Sequence, residues 1–484
     1  MQLPRGKNLV ILITAVIALL VPVLLLEISV LRQTNGNIVY PLDNAFLDIS
    51  VAKNLAFYKV WGVSKYAFQS ASSSLLYPLL LVPFFFIAGE HLVIPIIVNS
   101  LAAIFFLYAL QRALIRQNTT TGRQLAILLL AIFLTPLPLL VVSGMGYTVQ
   151  LLCCFLFMNA LASAIDGAAA GAKAGAATKP AAATEDTAAS GRSDLGRPSP
   201  LPWPIYVYGV LAVAARYEDL VLILLACTLL AVLNRGKQAL KLAAIALSPV
   251  LLFGIISLAK DSYFLPNSLL LGPYPTFVLV IAALALIAGC LLIRQYRQLA
   301  KAQTPVSIYR LSFALLAVLA VPFIARNVAE LRHFAADSVR IYEQQYPMAA
   351  FVHRYYSRGT IGVNDIAAVA YFSDGRKLDY TGLASGDVTK SKKEHSWGAV
   401  LADSLSRKDG IRAAIVSDPW FSPAQLPKWN KIASWKMPDS EDGQASTGKT
   451  LTFYVINKYD TTWLRRNLHD YEQLLPAGVA VSYY

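Results

Sequence analysis

The chain has 484 residues with a formal net charge of +14; 56% are hydrophobic and only 14% charged. Soluble domains carry about 25% charged residues, so this balance predicts an integral membrane protein and argues against an ordinary soluble enzyme. The excess Lys and Arg lies in short loops between apolar runs, a pattern of membrane topology rather than of nucleic-acid binding.

The chain opens with "KNLVILITAVIALLVPVLLLEISVL" after Arg5 and Lys7. This exceeds the roughly 20 apolar residues a span requires. Its core is too long for a cleaved signal peptide and lacks a small-residue cleavage site, so a retained signal-anchor is expected. Apolar runs then predict spans near 8–30, 92–110, 124–142, 147–164, 203–215, 219–233, 240–258, 275–293 and 311–326, nine in all. A shorter piece, "LLYPLLLVPFFFIAG" at 75–89, carries Pro78 and Pro83. If it lies at the outer interface rather than crossing, Arg112, Arg116 and Arg123 share a side with Arg5, with Arg235, Lys237 and Lys241, and with Arg294, Arg297 and Lys301. The positive-inside rule then holds at every loop, with the N-terminus inside and the C-terminus outside. Residues 166–200 are low-complexity Ala, Gly, Thr, Ser and Pro, expected to form a flexible cytoplasmic loop.

From about residue 327 the composition is that of a soluble domain. "GTIGVN", "RKLDY", "IRAAIVSD" and "KTLTFYVINKY" read as strands, with helical patterns at "DIAAVAYFS" and "SWGAVLADSLSRK". The expected architecture is therefore a polytopic all-α membrane domain over 1–326 with juxtamembrane helices in an outer loop at 31–91. An extracytoplasmic α/β domain follows over 327–484. Cys153, Cys154, Cys227 and Cys290 all fall in apolar runs, so no disulfide framework or cysteine metal site is implied.

The polar residues notable for their setting fall in the segments placed outside. Asp43 precedes a helical pattern, Ala45, Ile49, Ala52 and Ala56, and so suits an N-cap. It also suits a general base whose pKa is raised by partial desolvation. The two roles are compatible. Asp48 is a second acid candidate, read either as a solvated helix face or as part of a site. "RYED" places Arg216, Tyr217, Glu218 and Asp219 at a turn, where Arg216 could meet a lipid phosphate or simply pair with its neighbours. Lys260 is similarly placed, and Asn267 in "FLPNS" could cap a helix or touch ligand. No HExxH, GxSxG, Walker loop or Cys/His metal spacing is present.

These segments together resemble the GT-C glycosyltransferases, in particular the bacterial polyprenyl-phosphate-sugar transferases that include arabinofuranosyl- and mannosyltransferase-like proteins. "DNAFLDISVAKNLA" is similar to the family's Asp-Asp-Ala-Tyr/Phe-Ile and Tyr-Ala-Lys-Asn-Leu motif after the first span. "SSSLLYPLLL", "SGMGYTVQLL", "RYEDL", "LPNS" and "NDIAAVAYFSDGRKLDYTGL" follow in the family's order over about 380 residues. The resemblance implies an inverting transferase of the inner membrane of bacteria. Such an enzyme moves a sugar from a polyprenyl-phosphate donor to a hydroxyl on a glycan, lipid or protein acceptor at the outer face. Asp43 would be the base and Arg216, with Lys260, the phosphate-binding pair, while Glu218, Tyr217 and Asn267 are further site candidates. No nucleotide is implied, and a divalent metal is allowed but not indicated.

The chain departs from the family pattern at Asn44, at Gly146 where relatives have Glu, at Leu76 and Tyr77, and at Val51. A lapsed transferase serving as a scaffold is therefore one alternative. A transporter or lipid-handling protein is another, though it should show polar groups at mid-membrane and an internal repeat, and neither is evident.

Overall fold

The computed structural model describes residues 6–177, 200–271, 305–357, 359–417, 427–437, 450–476 and 478–484. In chain order the helices of the first part are α1 (Gly6–Gln33), α2 (Asn44–Tyr58), α3 (Leu76–Ala88), α4 (Val93–Arg116), α5 (Thr121–Leu134), α6 (Leu137–Val142) and α7 (Tyr147–Ala177). They continue with α8 (Trp203–Ala215), α9 (Leu220–Val232), α10 (Gly236–Ala246), α11 (Ser248–Ala259), α12 (Asn267–Leu271) and α13 (Pro305–Tyr356).

Among the described residues, four helical stretches are long and apolar enough to cross a membrane: Gly6–Gln33, Val93–Arg116, Tyr147–Gly167 and Gly236–Ala259. They are compatible with a membrane-embedded protein. The nine expected spans are not supported. The run at 124–142 breaks into α5 and α6 at Thr135 and Pro136, because a proline cannot extend the preceding helix. α8 and α9 are 13 residues each, and 13 residues rise about 20 Å against a hydrocarbon core of about 30 Å. The segment at 275–293 lies outside the described residues, and the one at 311–326 is part of the 52-residue α13. α3, the proline-bearing piece, is also 13 residues long. Of the expected flexible loop at 166–200, residues up to Ala177 continue α7, since Ala is the strongest helix former; residues 178–199 lie outside the described set.

α13 runs on into the C-terminal domain without a break, so the expected boundary at 326–327 falls in mid-helix. The domain continues with β1 (Thr360–Val363), α14 (Ala367–Phe372), β2 (Arg376–Asp379), α15 (Gly386–Lys393), α16 (Ala399–Lys408), β3 (Ala413–Ser417), β4 (Asn430–Lys436), β5 (Thr450–Val455), α17 (Thr461–Glu472) and β6 (Ala480–Tyr483). Its six strands form one sheet in the order β2-β1-β3-β5-β4-β6. β1 pairs parallel with β2 and β3; the remaining pairs are antiparallel. The carboxyl ends of β1, β2 and β3 therefore point the same way, and the loops leaving them gather at one edge.

α2 decides how the two parts meet. Every residue from Ala45 to Asn54 is buried, so this helix has no solvated face. Its partners are α3 and α14, the latter from the C-terminal domain. Buried polar side chains are usually partnered, and on this helix Asp48, Lys53 and Asn54 are, while the buried Ser50 hydroxyl has no hydrogen-bond partner. Lys53 donates to the Tyr371 carbonyl at 2.9 Å and pairs with Glu90 at 2.5 Å. Asn54 donates to the Gly62 carbonyl at 2.9 Å, and Asp48 accepts from Ser72 at 2.5 Å. Phe46 packs against Tyr371 and Phe372 with centroids 6.0 and 5.9 Å apart.

Candidate functional site

Where the loops from β1 and β2 meet α2, a cavity of about 550 Å³ opens between the helical bundle and the sheet domain. The bundle contributes Asp43, Asp48, Ser72, Tyr147, Arg216 and Glu218; the sheet domain contributes Asn364, Asp365, Tyr380, Thr381, Lys392 and Trp397.

Asp43 stands just before α2, and its carboxylate accepts from the Asn44 N–H at 2.7 Å. Asp365 follows β1 by two residues and accepts from Gln345 Nε2 at 2.6 Å. Gln345, carried by α13, also hydrogen-bonds Asp43. One amide thus holds two carboxyl groups, one from each part of the chain. Burial pushes the Asp43 carboxyl above the ordinary carboxylate range, against the bonds from Asn44 and Gln345 and the charge of Arg340. Asp365 is pushed well above that range, by burial first and then by the charges of Asp43 and Asp379. Two carboxyls so placed cannot both ionise cheaply and will tend to share a proton.

Asp48, buried one turn along α2, is pushed up to about 6 by burial, opposed by its bond from Ser72 and the charge of Arg216. The solvated-face reading of Asp48 is thereby corrected: Asp48 is buried, with the Ser72 hydroxyl bonded to its carboxyl. Arg216 leaves the end of α8 in an extended conformation, its guanidinium 4.5 Å from the Tyr147 ring and 3.7 Å from Glu218. At 3.7 Å the Glu218 contact is an ion pair rather than a short hydrogen bond. Asp219 takes a bond from Gln150 at 2.8 Å and is pushed up to about 6, chiefly by burial.

The other sequence candidates fall outside the cavity. Lys260 is exposed at the end of α11. Tyr217 is buried among the residues packed around α8 and α9. Asn267 acts as a clasp, donating to the Gly382 and Leu383 carbonyls at 3.3 and 3.0 Å while its own N–H reaches the Ser70 carbonyl at 2.7 Å. Gln69 adds a bond to the Ala384 carbonyl at 2.6 Å. These bonds fix the loop after β2 against the bundle.

Gly146 and Tyr77 form one packing unit. A Cβ at Gly146 would lie 2.6 Å from the Tyr77 ring, and the Tyr77 hydroxyl donates to the Gly144 carbonyl at 3.0 Å. Gly144, at φ +73°, is in the left-handed region and abuts the Tyr40 ring. Tyr77 therefore fills the space that a side chain at 146 would need.

Sequence reasoning did not single out Asp365, Gln345 or Lys392. The tract holding Asp365 was visible as part of a similar segment, but nothing local announced that it would meet Asp43. Among the described residues no group of three or more His, Cys, Asp or Glu could hold a metal ion.

A family described only as a domain of unknown function (DUF8728) matches residues 333–454. That stretch begins inside α13, ends in β5, and takes in Gln345, Asp365, Lys392 and Trp397 but none of the bundle residues of the cavity. No curated protein and no solved structure matches the chain.

Proposed function

We propose that the cavity is the active site of an inverting glycosyltransferase that uses a polyprenyl-phosphate sugar as donor. The observation that carries this reading is the carboxyl pair Asp43 and Asp365, held by Gln345 in a cavity that also presents Arg216. In the reaction, an acceptor hydroxyl oxygen attacks the anomeric carbon while the bond from that carbon to the phosphate oxygen breaks, its electron pair leaving with the phosphate. The hydroxyl proton passes to the Asp43 carboxylate. The companion proton stays on Asp365, which keeps only one negative charge on the pair. Arg216 faces the phosphate as it gains charge, and electrostatic stabilisation at that point lowers the barrier. With Lys260 outside the cavity, Arg216 alone carries this role on the bundle wall.

The placement of the basic loops supports an outward-facing site. Arg216 and Tyr147 stand at the cavity ends of α8 and α7, whereas Arg116 ends α4 and Arg235 follows α9 at their far ends. Under the positive-inside rule the far end faces the cytoplasm, so the cavity and the sheet domain face outward from the inner membrane of a bacterium. α3, apolar and too short to cross, lies along the outer interface. The partners are then the bilayer, the lipid-linked donor and a hydroxyl-bearing glycan, lipid or protein.

The test is sugar release from a panel of polyprenyl-phosphate sugars by the protein in nanodiscs, wild type against Asp43→Asn. General-base catalysis is worth about 10² to 10⁴ in rate, so release should fall by that factor with donor binding retained. Undiminished release by Asp43→Asn would overturn the assignment and leave Asp43 as a helix cap.

A further inference from the structure

The transferase reading accounts for Asp43, Asp365 and Arg216 but leaves one cation on the cavity wall without work. Lys392 lies near the end of α15, and its Nζ donates to the Thr381 carbonyl at 3.0 Å. Among the described residues it makes no ion pair. Its counterpart on the bundle wall, Arg216, has both Glu218 and the Tyr147 face.

The bland role for Lys392 is to hold the loop after β2, but that loop is already held many times over. Asp379 accepts from the Thr381 N–H at 2.8 Å, the Thr381 hydroxyl at 2.5 Å and the Ala384 N–H at 2.8 Å. The Ser385 hydroxyl accepts from the Asp379 N–H at 2.8 Å, the Thr389 hydroxyl donates to the Gly382 carbonyl, and Asn267 and Gln69 clamp the loop from the bundle. Both Asp379 oxygens are thus taken, and Asp379 acts on Lys392 only as a nearby charge. An ammonium has three donors, the Thr381 carbonyl takes one of them, and partial desolvation of the rest costs free energy. Burial indeed pulls the Lys392 pKa below the usual lysine range, with Asp379 opposing.

The surroundings add one feature. Trp397, half-buried, lines the cavity with its ring centroid 5.6 Å from the Lys392 ammonium. An aromatic face beside a cation with spare donors suits a sugar ring that carries an anionic substituent: the ring's C–H face rests on the indole while the anion takes the ammonium.

We propose that Lys392, Trp397 and Thr381 form the acceptor subsite, and that the acceptor is a glycan bearing an anionic group, a carboxylate or a phosphate. This rests on the transferase reading for the word acceptor, but the binding site stands on its own geometry.

The experiment measures binding to the full chain in nanodiscs, by calorimetry or saturation-transfer NMR. The probes are methyl glucuronide, glucose 6-phosphate and, as the neutral reference, methyl glucoside. Wild type should prefer at least one anionic probe to the neutral one, and the preferred probe names the substituent. Lys392→Met should weaken that probe about tenfold, as expected for loss of a charge-assisted hydrogen bond, and leave methyl glucoside unchanged. Lys392→Arg should keep the preference, which separates loss of charge from loss of fold, and Trp397→Ala should weaken all three. Equal binding of charged and neutral probes would overturn the proposal. So would a preference that survives Lys392→Met or that is abolished by Arg216→Met instead. A protein that shows the Lys392-dependent preference yet releases no sugar from any donor keeps the subsite and loses the transferase reading. One that transfers to neutral acceptors with a KM untouched by Lys392→Met does the reverse.

Discussion

The two walls of the cavity are built differently. The bundle wall is held from behind by packing: Asp48 by Ser72, Arg216 by Tyr147, and the Gly144–Gly146 turn by the Tyr40 and Tyr77 rings. The sheet wall is made of loops at the carboxyl ends of parallel strands, with Asn364 and Asp365 after β1 and Tyr380 and Thr381 after β2. Asn364 ties the first of these to β3, donating to the Ser417 carbonyl at 3.2 Å and accepting from its N–H at 3.0 Å. Such strand ends are the usual ligand edge of an open α/β sheet. A packed wall tolerates little change of volume, whereas a loop wall can change its side chains without disturbing a core. The bundle wall therefore suits a part of the reaction that must not move, and the sheet wall a part that sets specificity.

Three substitutions would break or sharpen this contrast. The largest effect is expected at Asp48. Its raised pKa means that the folded state holds the proton more tightly than the unfolded chain. The stability it contributes is full below about pH 4 and is lost as pH rises through about 6, by roughly 3 kcal/mol. Asp48→Asn keeps an acceptor for Ser72 and removes the titration. Its thermal midpoint should exceed that of wild type at pH 8 and match it near pH 4. Equal midpoints at pH 8 would mean that the bundle wall is not dry at this point.

Next comes Gly146→Ala, whose new Cβ meets the Tyr77 ring. Overpacking of this kind costs about 2 kcal/mol. Urea or thermal unfolding should show that loss, and Tyr77→Leu in the same chain should recover part of it. No loss in the single variant would show that the bundle wall yields as a loop does.

The smallest effect is expected on the sheet wall. Asp365→Asn leaves the Gln345 bond an oxygen acceptor but removes the second titrating carboxyl. On the proposed transferase reading, transfer should drop about tenfold at its optimum, toward the low end of acid–base contributions. A bell-shaped pH profile should lose its alkaline limb, because that limb belongs to the pair. A bell that persists would assign the limb elsewhere and reduce Asp365 to a positioning residue.

The bundle wall was legible in advance because its residues lie in short contiguous motifs: Asp43 and Asp48 in "DNAFLDIS", Arg216 in "RYED". The sheet wall was not. Asp365 was in view within "NDIAAVAYFS", but that stretch reads only as a helical pattern and nothing local in it points to α2. Lys392 sat in "KSKKEH" as one lysine among several, while Lys260 looked better placed from its apolar neighbours and proved to be outside the cavity. β4, "NKIASWK", and β6, "AVSY", were missed because each is short and is completed only by antiparallel partners far along the chain.

Composition and apolar periodicity by themselves determined the class of the protein: apolar helices first, a mixed sheet domain after them, and an acid at the start of α2. These follow from local patterns and from burial along a single element. The burial of every residue from Ala45 to Asn54, the meeting of Asp43 with Asp365 through Gln345, and the packing of the Tyr77 ring against Gly146 were decided by tertiary structure alone. Each depends on which surfaces come together between residues that local sequence does not link, and two carboxyls can perturb one another only once packing has brought them to the same amide and excluded the water between them.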